Sequence, residues 1–217
     1  MSGKAASGRP GRSPYDRVAR LYDVAFALSE FLIGGISCRH LASLGLPPGG
    51  WILDVGCGTG SLAMRLAGDG YAVVAVDSSP AMIARARAKQ AKAGSGLRLE
   101  FREADGRSLS FADASFDLVT LVAVLHGPAA EGRLALLAEA RRLSRGKVLV
   151  HDFPPFPGPR GISAPFLRLL EAVEGSHFRS FMEEGTAEMA SLFPSVAVRP
   201  VAPDSSWYIL GKGGGPG

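Results

Sequence analysis

From Trp51 onward, short apolar runs alternate with stretches whose apolar residues recur at helical spacing. WILDV (51–55), YAVVAVD (71–77), LRLEFREAD (97–105), FDLVTLVAV (116–124) and GKVLVHDF (146–153) have the length and the β-branched content of strands. Between them, 60–68, 79–93 and 130–144 fit helices. The second of these follows Ser78 and Ser79 and opens on Pro80, residues suited to a helix cap and first turn. Strands alternating with helices predict a mostly parallel sheet covered on both faces. The unbroken apolar run LVTLVAV fits a strand buried on both sides.

Two stretches fall outside this rhythm. YDRVARLYDVAFALSEFLI (15–33) places Val18, Leu21, Tyr22, Ala25 and Leu28 at helical spacing and predicts a helix over the core. After the break FPPFPGPRG, helices are expected near 164–174 and 177–192, then strands near 195–201 and 206–211. No repeat or second core is visible in the 217 residues. The expected organisation is a single domain over 15–211: a helical lid at 15–45, a core at 50–152 and a further part at 153–211. A disordered basic arm (1–14) precedes it and a flexible tail (212–217) follows.

Charge and cysteine usage narrow the classes. The formal net charge is +4, but Lys4, Arg9 and Arg12 in the arm supply three of those charges, leaving the body near neutral. That argues against a broad nucleic-acid surface, which needs clustered cations. The opening residues lack the apolar core of a secretory signal, and no window approaches the eighteen or so apolar residues of a membrane span. Two cysteines, Cys38 and Cys57, make no disulfide framework, and a reduced, cytoplasmic setting is expected. No His/Cys cluster has metal-ligand spacing.

The candidate chemistry starts where WILDV ends. Gly56, Gly58 and Gly60 follow Asp54 and let the backbone turn tightly and approach a ligand. In a parallel sheet, ligands bind beyond the carboxyl ends of the strands. Asp77 ends the second strand about 20 residues after Gly56, where an acid receives both hydroxyls of a ribose. Asp105 ends the third strand and can accept from an adenine amino group, although an Asp-Gly turn explains it equally well. Asp54 suits a cationic amino group; a carboxylate there would repel a dinucleotide's pyrophosphate.

LDVGCGTG, the acid of VVAVDSSPAMI, the EADG stretch and FDLVTLVAVLH together resemble the class I S-adenosylmethionine-dependent methyltransferases. The resemblance covers roughly 50–152 in the family's order and spacing. It implies a Rossmann-like doubly wound α/β fold, with a mostly parallel seven-stranded sheet holding one antiparallel strand and an N-terminal helical cover. It also implies S-adenosylmethionine as cofactor. On that basis Gly56, Cys57 and Gly58 line the methionine part, and Asp77 with Ser78 holds the ribose. Met82 packs near the adenine, Asp105 and Gly106 meet its edge, and the backbone of Leu121 and Val122 lies near the methionine amine. YDRVARLYD resembles the opening helix of the ubiquinone/menaquinone-biosynthesis-like branch, which brings Tyr15 and Tyr22 to the pocket.

A methyl on sulfonium already carries a good leaving group, so a base is needed only if the acceptor must lose a proton. His126, His151 and Asp152 stand near strand ends, and the two histidines are the candidate bases. Phe153, His177 and Arg179, with Phe178, are candidates for an acceptor wall. No NPPY-like stretch follows the fourth strand, so a small-molecule acceptor is the default, on a monomer or homodimer. Two other readings stay open. One is a non-catalytic subunit that binds the cofactor. The other is an NAD-dependent oxidoreductase, against which Ser61 stands where its fingerprint wants Gly or Ala.

Overall fold

The computed structural model describes residues 44–94, 96–155, 177–202 and 205–213. Seven strands form one sheet: β1 (Trp51–Val55), β2 (Ala72–Asp77), β3 (Leu99–Glu103), β4 (Phe116–Val122), β5 (Ser144–Asp152), β6 (Ser195–Ala202) and β7 (Ser205–Gly211). Among the described residues, four helices accompany them: α1 (Ser61–Gly68), α2 (Pro80–Ala93), α3 (Ala130–Leu143) and α4 (His177–Leu192). The strand order is β3-β2-β1-β4-β5-β7-β6. β1 to β5 run parallel, and β7 is antiparallel to both β5 and β6. The mostly parallel sheet is as the strand and helix pattern predicts, and its one antiparallel strand is as the resemblance implies.

Alternation along the strands splits the core. Leu53, Val55, Val74, Val76, Val119 and Leu121 face α3 and α4, whereas Ile52, Val73, Ala75 and Leu118 pack with α1 and α2. This two-sided burial is why the strands read as continuous apolar runs. α2 starts where the serines and Pro80 predict: Ser79 is the cap and its Oγ accepts from the Met82 amide. The outer strand β6 is mostly exposed and carries Pro200, which blunts pairing at that edge.

At three strands a boundary moves by two residues from the sequence expectation. β3 is shorter than 97–105, because Ala104 donates to the Asp77 carbonyl and Asp105 then opens a turn. β4 stops at Val122, since Ala123 takes a left-handed φ of 55°. β5 begins directly at Ser144, whose Oγ accepts from the Gly146 amide and donates to the Lys147 carbonyl. The expected helices at 15–33 and near 164–174 lie outside the described residues.

α3 and α4 are joined by a charge the hydrophobic pattern does not reveal. Arg133 is fully buried. Its Nε and Nη2 donate to the two oxygens of Glu188 at 2.7 and 2.6 Å, Nη2 also to Ser180 Oγ, and Nη1 to the Pro128 carbonyl. Shared partners satisfy the guanidinium, as a buried charge requires. Among the described residues, no helix is long and apolar enough to cross a membrane.

Candidate functional site

The strand order reverses between β1 and β4, and their carboxyl ends open the crevice where an open α/β sheet holds its ligand. The turn after β1 is set by main-chain bonds, with the amides of Gly56 and Cys57 both donating to the Val76 carbonyl. Gly56 has φ 70°, and a Cβ there would lie 2.5 Å from Val124 Cγ2, so the turn needs glycine for conformation and for space. Gly58 also has a positive φ, of 53°, but a Cβ there would meet nothing within 4 Å. It faces a cavity.

Asp77, at the tip of β2, closes the turn. Its Oδ2 accepts from the Gly58 amide and its Oδ1 from the Ser79 amide, both at 2.8 Å. Burial pushes its carboxyl above the ordinary range, and the two amides pull it back in part. Each carboxylate oxygen still has a lone pair beyond its amide bond. Asp54 is buried at the tip of β1, its Oδ1 accepting from Thr120 Oγ1 at 2.8 Å.

Two cavities meet at Asp77. One, of about 160 Å³, is bounded by Asp54, the glycine turn, Thr59, Ser61, Met82 and the chain after β4. The other, of about 220 Å³, lies between Val55, Val76 and Leu136 and is rimmed by Asp105, Gly106 and Arg107. Gly56, Asp77, Ser78 and Val124 border both. The structure thus brings together Asp54, Gly56, Cys57, Gly58, Asp77, Ser78, Met82 and Val122 around the first cavity, and Asp105 and Gly106 at the second. Met82 sits beside the glycine turn and not at the Asp105 end. The Leu121 side chain packs in the core. Tyr15 and Tyr22 lie outside the described residues. Burial and the nearby Asp54 and Asp77 push the Cys57 thiol far up, which fits a packing residue and not a nucleophile.

Neither histidine borders these two cavities. His126 is buried, with Nδ1 2.8 Å from Asp152 Oδ1. Its ring meets Phe153 edge-on at 4.9 Å and Phe178 at 6.3 Å. Asp152 also accepts from the amides of Leu125 and Phe153. Burial pushes the Asp152 carboxyl up, but attraction to His126 and these hydrogen bonds bring it below the ordinary range. His151 points to the opposite face of the sheet, 6.4 Å from the Trp207 ring, and its buried Nε2 has no hydrogen-bond partner. Burial lowers its pKa, so the ring is neutral at pH 7. His177 and Arg179 stand on the first turn of α4, where Arg179 pairs with Glu183.

Thr59, Ser61, Ala123, Val124 and Arg107 are site residues that the sequence reading missed. The hydroxyls of CGTGS were visible beside the glycines. Nothing local marks Ala123, whose left-handed backbone is held by its amide's bond to the His151 carbonyl. Ala123→Val should lower stability by roughly 1–3 kcal/mol, because a β-branched residue is strained there. Ala123→Gly should keep or raise stability, since relief of that strain offsets the added chain entropy. Equal urea midpoints for the two variants would remove the strain argument.

The arrangement fits a nucleoside joined to an amino acid: an acid where two cavities meet, a slot between Val55, Val76 and Leu136 on one side, and a turn with a second acid on the other. A methyltransferase-domain family model matches residues 52–146. The chain is 34% identical over 179 residues to a phosphatidylethanolamine N-methyltransferase of Cereibacter sphaeroides, covering 80% of this chain and 86% of that one. It is also 34% identical over 175 residues to a demethylmenaquinone methyltransferase of Beutenbergia cavernae, matching 77% of this chain but spanning only 64% of that protein's length. Among solved structures, PigF with SAH superposes with a TM-score of 0.69 at 22% identity, covering 94% of this chain and 63% of that one; this shows the fold alone. By the extent of its likeness to the Cereibacter protein and by its family match, the chain belongs to the class I S-adenosylmethionine-dependent methyltransferases.

Proposed function

We propose that this chain transfers the methyl group of S-adenosylmethionine to a small-molecule acceptor. The observation that carries the reading is the meeting of two cavities at one carboxylate. Asp77, still able to accept beyond its two amide bonds, takes both ribose hydroxyls, with Ser78 beside it. Gly56, Cys57, Gly58 and the main chain at Val122 line the amino-acid part, and Asp54 favours its ammonium group. Asp105 and Gly106 lie at the base. Bound in this way, the cofactor supplies an electrophilic methyl carbon whose leaving group is a neutral thioether.

The chain's own task is alignment and exclusion of water, which can contribute roughly 7–11 kcal/mol. We assign Phe153 and Phe178, whose rings meet at 4.3 Å, to the acceptor side together with His177 and Arg179. His126 acts as a positioning residue, because its bond to Asp152 ties the turn after β4 to the end of β5. The two relatives are named for different acceptors, so neither acceptor is carried over to this chain.

S-adenosylhomocysteine should bind in calorimetry and raise the melting temperature by mass action, whereas NADH should do neither. A shift with NADH and none with S-adenosylhomocysteine would overturn the reading.

A further inference from the structure

We propose that Arg107 is a cofactor-contact residue whose guanidinium, held by Asp105, covers the face of the nucleobase. The inference rests on the cofactor reading above. Among the described residues lining the two cavities, Arg107 is the sole cation, and it stands at the rim of the slot between Val55, Val76 and Leu136. Its side chain is 57% exposed, so its surface is available to a ligand.

Asp105 pins that side chain. Arg107 Nε donates to both carboxylate oxygens at 2.9 and 3.1 Å, Nη2 donates to Oδ2 at 2.6 Å, and the Arg107 amide donates to Oδ1 at 3.0 Å. These four bonds occupy most of the lone-pair capacity of Asp105. The carboxylate therefore acts as a positioning group for Arg107. An exposed pair of this kind contributes little to stability. Its consequence is a planar cation held at a cavity lined by Val55, Val76 and Leu136, and guanidinium planes stack on aromatic rings.

Calorimetry of S-adenosylhomocysteine and of adenosine with the wild-type chain, Arg107→Ala, Arg107→Lys and Asp105→Asn provides the test. Arg107→Ala should weaken both ligands by the same factor, roughly 5- to 20-fold, because both carry the base. Arg107→Lys, which keeps the charge and loses the plane, should recover less than half of that loss on a logarithmic scale. Asp105→Asn should weaken both ligands, and by a smaller factor in the Arg107→Ala background. The melting temperature of each unliganded variant should match the wild type. If wild type and Arg107→Ala bind S-adenosylhomocysteine equally, the assignment of Arg107 fails and the cofactor reading stands. If Arg107→Lys binds like wild type, charge alone acts and the stacking assignment fails. If the wild-type chain binds neither ligand, the cofactor reading fails and this inference with it.

Discussion

Asp77→Ala should weaken S-adenosylhomocysteine binding by roughly 10²- to 10⁴-fold in calorimetry. The variant removes two charge-assisted hydrogen bonds to ribose hydroxyls, each contributing about 1.5–3 kcal/mol. It also releases the Gly58 and Ser79 amides, which Asp77 holds at 2.8 Å, so the glycine turn loses its closing contact. Asp77→Asn separates the two effects. An amide keeps one oxygen to accept from one backbone N–H, but it cannot accept on both sides. Its affinity should therefore fall between those of wild type and Asp77→Ala. The pH dependence has a definite sign. Burial raises the Asp77 pKa, so affinity should fall on acidification at a pH above the ordinary carboxylate range, as the ionised acceptor is lost. An Asp77→Ala chain that is folded and binds within threefold of wild type would remove Asp77 from the site.

Features written in local pattern were legible in the sequence. WILDV is a strand over the predicted residues, because an apolar run ending in glycines admits little else, and α4 spans 177–192 as expected. The three acids were legible because each stands at or just beyond the carboxyl end of its own strand, and parallel register then brings those ends to one edge. Leu53 lies opposite both Val74 and Val119, which sets Asp54 and Asp77 on neighbouring strands. What stayed hidden depends on contacts distant in sequence. The His126–Asp152 pair spans 26 residues and requires the β4–β5 register. Arg133, a cation within a helix, reads as a surface residue until α4 supplies Glu188. Arg107 reads as an ordinary turn residue until the slot beneath it is seen.

Asp152 carries the other large effect, and it concerns stability. Its carboxylate is buried and accepts from His126 Nδ1 and from the amides of Leu125 and Phe153. Asp152→Ala strands all of these donors inside the protein, and removing one partner of a buried, hydrogen-bonded carboxylate pair costs about 3–5 kcal/mol. For a chain of this size that lowers the melting temperature by roughly 6–20 °C. The pair also sets an acid limb. Because the folded-state pKa of Asp152 is depressed, its contribution is fully present above the unfolded carboxylate value of about 3.9. That contribution is lost as pH falls through the lower folded-state value. Urea unfolding of wild type should therefore weaken on acidification below about pH 4, and the Asp152→Ala profile should be flatter in that window. His126→Phe adds the control, since the double variant should cost less than the sum of the single ones if the two side chains act as a unit. Strict additivity, or an acid limb of the same slope in Asp152→Ala, would show that the pair does not hold the turn after β4 to the end of β5.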